Sequence, residues 1–123
     1  MQQDLLGRLP NARVRVYAVW FNMYPGDARA RWPAALLTDS RVVHYWDEPR
    51  AAGTRYLAQL PAILDRRAPE TMPPGGDAMW DAFFVYAPGD RWQDPTPVPR
   101  SWGYPIMVTS DELRRQVEAL LAK

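Results

Sequence analysis

The side chains in this sequence that could do chemistry are few, and carboxylates lead them. Asp81 interrupts the otherwise apolar run Ala78 to Tyr86 (AMWDAFFVY), between Trp80 and Ala82. A carboxylate inside such a run must be hydrogen-bonded, paired, or protonated with a raised pKa, because desolvation penalises its charged form. The alternative is that Asp81 lies at an exposed strand mouth and bonds a neighbouring backbone amide. Asp27 follows Tyr24-Pro25-Gly26, where an aspartate serves as a helix N-cap. His44 is the only histidine and cysteine is absent, so the two or more nitrogen or sulfur donors of a usual zinc site are missing. His44 with Asp47 and Ser40 or Ser110 has the residue types of a triad, yet none of the three serines sits in a Gly-x-Ser-x-Gly turn. A hydrogen-bonded structural histidine is therefore expected. Pro-Pro-Gly-Gly at 73–76 has neither the lysine nor the following helix of a phosphate loop. No catalytic residue, metal ligand or cofactor is assigned.

Aromatic side chains are the other conspicuous resource. Six tryptophans and six tyrosines are a heavy load for 123 residues. Trp20, Trp32, Trp46 and Trp80 fall in expected strands or on a helix face and read as core. Trp92 and Trp102 flank the proline-rich excursion QDPTPVPRS over 93–101. Exposed tryptophan beside a rigid loop suits a partner interface or a stacking ligand; the competing reading is that both fold the loop back onto a sheet.

The elements that must position these groups follow from periodicity. Arg13 to Trp20 alternates at first, with Val14 and Val16 against Arg13 and Arg15, then becomes apolar throughout. That pattern predicts a central strand running into a core covered on both faces. Tyr24-Pro25-Gly26-Asp27 predicts a turn, followed by a helix carrying Ala28, Trp32, Ala35 and Leu36 and kinked by Pro33. Arg41 to Trp46 (RVVHYW) predicts a second buried strand. Asp47-Glu48-Pro49 opens a helix with Tyr56, Leu57, Leu60 and Leu64 at helical spacing, expected to break into two pieces near Leu60 at Pro61. Residues 68–77 read as a loop. Ala78 to Tyr86 predicts a third strand, turned at Pro88-Gly89-Asp90 into a short antiparallel partner at Arg91-Trp92. Trp102 to Val108 reads as extended, and Thr109-Ser110-Asp111-Glu112 has capping-box spacing ahead of a helix with a Leu113, Val117, Leu120, Leu121 stripe.

The expected order is β-α-β-α-β-β-α in one α/β domain over 1–123, with parallel strands joined by right-handed crossovers and an antiparallel pair at the end. This order, together with the strand–turn–helix at 17–37, resembles the thioredoxin-like superfamily. In that family a central strand runs into Trp-Cys-x-x-Cys, and the next helix carries a kinking proline five residues after the second cysteine. If Pro33 is that proline, the dithiol window falls on Pro25-Gly26-Asp27-Ala28, with Tyr24 in the aromatic place before it. The stretch WFNMYPGDARARWP is also similar to bacterial thioredoxin-like proteins in which the dithiol is absent. The resemblance implies a four-stranded mixed sheet flanked by helices, with the family's cis-proline position on or near Asp81. It also implies that Asp27 and Asp81 face one mouth, where two acids could share a proton or hold a hard cation.

Function follows from what is missing. Thiol–disulfide exchange requires a thiolate, and the chain has none. Net charge is +1, from 15 basic and 14 acidic residues, which lacks the basic excess of a nucleic-acid binder. No apolar run approaches the length of a membrane span, and the first ten residues carry neither a basic leader nor an apolar stretch of secretory length, so a cytoplasmic chain is expected, with a mature secreted form as the alternative. The expected function is a non-redox binding or assembly module for a protein partner, using Tyr24, Asp27, Asp81, Trp80, Trp92 and Trp102. The rival is a small carboxylate-based enzyme or metal binder using Asp27 and Asp81. Oligomeric state is left open.

Overall fold

The computed structural model describes every residue except 23, 25, 32–33, 67–77 and 94, and gives only the backbone at 34 and 63–66. Its elements run as an N-terminal π-helical turn (Gln2–Leu6), β1 (Val16–Trp20), 3-10 turns at Arg29–Arg31 and Ala34–Leu36, β2 (Val42–Trp46), α1 (Ala51–Arg66), β3 (Phe83–Val85), β4 (Ser101–Gly103) and α2 (Ile106–Leu121). The strands form two separate pairs. β1 and β2 lie parallel with Val16 opposite Val42 and Trp20 opposite Trp46, while β3 and β4 lie antiparallel with Phe83 opposite Gly103.

The expected four-stranded mixed sheet of a thioredoxin-like fold is therefore not formed. Two physical causes stand out. First, β1 is not a central strand: no residue of β1 or β2 is fully buried, and exposure along β1 alternates to its end. Tyr17 and Val19 keep the outward side already marked by Arg13 and Arg15, so the loss of polar alternation after Val16 does not mean a second covered face. Second, the stretch expected to form a covering helix makes only two 3-10 turns among its described residues, with Ala35 and Leu36 exposed. A short helix without a buried face has nothing to offset its nucleation cost. The expected kink at Pro33, Trp32 on that helix, Pro25 in the turn, and the loop at 68–77 lie outside the described residues.

The core belongs to the other half of the chain. Leu5, Phe83, Val85 and Leu113 form one buried cluster, backed by Met1, Leu9, Val117 and Leu120. Leu60, Met79 and Trp102 form another, backed by Tyr56, Leu57, Ala82, Phe84 and Tyr104. β3 pairs with Ser101–Gly103 rather than with Arg91-Trp92. Arg100 donates its N–H to the Val85 carbonyl at 2.6 Å, and Gly103 admits the Phe83 ring where any Cβ would stand 2.5 Å from it. The tight turn is as expected: Asp90 donates its N–H to the Ala87 carbonyl and Gly89 takes φ 91°.

The helices differ from expectation at their starts. Asp47 accepts the N–H groups of Ala51 and Ala52 at 3.1 and 2.8 Å, so it does cap α1. α1 then runs unbroken through Pro61, which faces solvent, where water can meet the carbonyl left without a donor. α2 begins at Ile106, so Thr109 to Glu112 lie inside it, with the Thr109 hydroxyl donating to the Pro105 carbonyl at 2.7 Å rather than capping. Leu113 of the expected stripe is buried, whereas Leu121 is exposed.

One polar staple ties the N-terminal turn to the ribbon. The Arg41 guanidinium donates to the carbonyls of Leu9 at 2.6 Å and Leu6 at 2.8 Å and to both Asp39 oxygens at 2.7 and 2.9 Å. The Leu6 carbonyl at the end of the helical turn and the Leu9 carbonyl just beyond it thus find donors in a fork that only arginine provides. Among the described residues no helix is long and apolar enough to cross a membrane.

Candidate functional site

The two faces of the β1–β2 ribbon are fixed by their inner side chains. Trp20 donates its indole N–H to His44 Nδ1 at 2.9 Å, and the rings stack 6.1 Å apart. His44 Nε2 lies 2.9 Å from the Leu37 carbonyl. An indole N–H can only donate and a carbonyl can only accept, so the pair selects the neutral Nε2–H tautomer. His44 is thus a half-buried hydrogen-bonded residue that holds the segment before β2 against the inner face.

The register then sends Tyr17, Val19, Val43 and Tyr45 to the opposite face. Tyr17 is 63% exposed, Val19 41% and Tyr45 52%, and the two tyrosine rings stack on each other 6.3 Å apart. Arg13 and Arg15 continue the same row toward the start of the strand, both exposed. No carboxylate among the described residues pairs with either of them.

The edge of β1 is open as well. Val16 donates its N–H to the Arg41 carbonyl at 3.0 Å, and Trp20 accepts the Asp47 N–H at 2.7 Å. In a parallel ladder alternate residues turn toward the neighbouring strand, so Val16, Ala18 and Trp20 face β2. The N–H and C=O groups of Tyr17 and Val19 point the other way, and no described residue bonds them. Among the described residues, two donors and two acceptors therefore stand unpaired beside an apolar, aromatic face with a basic end.

The residues singled out from sequence make separate local contacts. Tyr24 is exposed just beyond β1; its N–H donates to Asp27 Oδ2 at 2.7 Å and its carbonyl accepts the Asp27 N–H at 3.1 Å, while Gly26 takes φ 91°. Asp27 thus closes its own turn. Asp81 is exposed in the left-handed region at φ 51°, a conformation that aspartate tolerates better than most residues. Its carbonyl accepts the Ile106 N–H at 3.0 Å, and Ile106 follows the cis Tyr104–Pro105 bond. Trp80 packs edge-on against Tyr104 at 6.4 Å. No group of three or more His, Asp and Glu able to hold a metal occurs among the described residues.

Trp92 and Trp102 part company. Trp102 is 7% exposed and stacked on Phe84, part of the core. Trp92, 58% exposed, donates its indole N–H to the Tyr56 hydroxyl at 3.2 Å, and Tyr56 and Tyr86 share a hydroxyl hydrogen bond of 2.6 Å. Burial pushes both phenols above their ordinary range; their shared hydrogen bond offsets part of this for Tyr56 and adds to it for Tyr86. Thr96 bonds Gln59 of α1, and Thr96 and Pro99 are buried. The proline-rich excursion is strapped onto α1 by these groups, which spend their polar atoms on each other.

Tyr17, Val19 and Tyr45 were not among the expected site residues, because an apolar run was read as a buried strand. Parity with Arg13 and Arg15 would have identified Tyr17 and Val19. Comparison with known protein families, with curated proteins and with solved structures finds no match to this chain.

Proposed function

We propose that this chain is a non-redox binding module for a protein partner, and that its docking surface is the outer face and open edge of the β1–β2 ribbon. The observation that carries the reading is that Tyr17 and Val19 expose their side chains, while no described residue bonds their backbone N–H and C=O groups. Parallel strands occur almost only with both faces covered, and long-lived sheet edges are normally blocked or paired. A two-stranded ribbon alone is marginal in water. Addition of a strand from a partner would pair the edge and widen the ribbon to three strands, and strand addition is a common mode of peptide recognition.

A carboxylate-based reaction at Asp27 and Asp81 has less behind it. The Asp27 carboxylate is turned back on the Tyr24 N–H, and Asp81 is exposed, with no cluster among the described residues that would hold a cation.

The test separates a docking face from core. Replacing Tyr17 and Tyr45 together by lysine should cost no more than about 1 kcal/mol per site, the loss of their mutual stack and of strand propensity. A loss above about 2 kcal/mol would assign those rings to the chain's own packing and end the proposal.

A further inference from the structure

We infer that the segment received at the β1 edge is extended and acidic, with carboxylates at two alternate positions next to two apolar ones; this rests on the ribbon being the binding surface. Arg13, Arg15, Tyr17 and Val19 form one outward row, basic at its first two places and apolar at its last two. Within β1 the neighbours Tyr17 and Val19 lie about 6.6 Å apart, twice the rise per residue of a strand; Arg15 and Arg13 lie ahead of the strand, where the Val14 N–H donates to the Ala12 carbonyl and shortens the step. A partner strand paired with Tyr17 and Val19 and continued past the start of β1 brings its next alternate side chains to Arg15 and Arg13. Glutamate or aspartate opposite Arg13 and Arg15 then supplies the carboxylates that the described residues lack there, while valine-like residues meet Tyr17 and Val19.

Charge complementarity chooses among occupants. A second copy docking through the same edge brings its own Arg13 and Arg15 and leaves every one of these guanidinia without a carboxylate. A nucleic-acid strand would satisfy the arginines, but its backbone has no alternating N–H and C=O groups to meet those of Tyr17 and Val19. A net charge of +1 also gives it little long-range attraction. The acidic peptide alone matches both the edge and the row.

The experiment uses the whole chain and labelled synthetic peptides followed by fluorescence anisotropy: Val-Thr-Val-Thr-Glu-Thr-Glu, the same residues in reverse order, and analogues with lysine for glutamate. At least one glutamate peptide should bind, and its lysine analogue should bind at least about tenfold more weakly, as should raising salt to about 0.5 M. The variant combining Arg13→Glu with Arg15→Glu should lose at least about tenfold in affinity, with Arg13→Gln and Arg15→Gln as a milder pair if the first melts early. Equal binding of glutamate and lysine peptides, tighter binding of oligothymidylate, self-association relieved by the arginine variants, or no binding at all would each overturn the inference. If no peptide binds while the Tyr17→Lys, Tyr45→Lys chain keeps its melting temperature, only the acidic class falls. If that double variant unfolds, the ribbon reading falls with it.

Discussion

Replacing Gly53 by alanine sets two opposed effects against each other, and the structure decides between them. Gly53 lies in the first turn of α1, where helix propensity favours alanine by about 1 kcal/mol. Yet a Cβ there would stand 2.7 Å from the Met79 carbonyl oxygen and 3.1 Å from the Ala78 Cβ. Neither neighbour can yield cheaply, since Ala78 and Met79 are buried and the Met79 N–H is bonded to the Gly53 carbonyl at 2.8 Å. Overpacking of this kind costs about 1–3 kcal/mol, and weakening the hydrogen bond adds about 0.5–1.5 kcal/mol. After the propensity gain, a net loss of about 0.5–3.5 kcal/mol is expected. For a domain of this length that lowers the melting temperature by about 2–14 °C. Thermal unfolding followed by circular dichroism, with a urea titration to confirm the free energy, reads it directly. A melting temperature that rises would refute the close approach of α1 to residues 78–79, because propensity alone would then be acting.

Other perturbations probe separate parts of the fold. Leu6→Ala, at the most buried large side chain, should cost about 2–5 kcal/mol in a urea titration, although it sits in a five-residue helical turn near the chain start. The Arg41 guanidinium holds the Asp39 carboxyl down to about 2 from 3.8, so its contribution is present above about pH 4 and is lost as pH falls toward 2. Melting temperatures between those pH values should fall less steeply in Asp39→Asn than in the parent chain. The phenols of Tyr56 and Tyr86 are raised above 10, so their linked stability is full below pH 10 and is lost as pH rises beyond it. Tyr86→Phe should flatten that alkaline fall, and an unchanged profile would contradict the burial of the hydroxyl pair.

Local chemistry was readable in the sequence where one short segment decides the outcome. The turns closed by Asp27 and Asp90, the cap supplied by Asp47 and the Leu113 face of α2 all depend on residues within a few positions of each other. Pairing between strands was not readable, because it depends on distant partners. β3 takes β4 because Gly103 makes room for Phe83 and because Trp102 completes a core with Leu60 and Met79, none of which periodicity announces. The N-terminal turn was missed for the same reason: the Leu6 carbonyl at its end and the Leu9 carbonyl just beyond it are satisfied by Arg41, far along the chain. The likeness of residues 17–37 to a thioredoxin-like strand–turn–helix rests on element order and on the spacing of Pro33 from Pro25-Gly26-Asp27-Ala28, neither of which tells which face of β1 is covered. Here Tyr17 and Val19 stay outward with Arg13 and Arg15, and the site moves with them.

Residue-resolved amide hydrogen exchange along β1 bears most directly on the binding surface. The N–H groups of Val16 and Ala18 should be protected by their bonds to β2, while those of Tyr17 and Val19 exchange rapidly in the isolated chain and become protected when a glutamate peptide is added. Equal protection along the strand before any peptide is added would mean that the edge is already covered, and would contradict the proposed docking site.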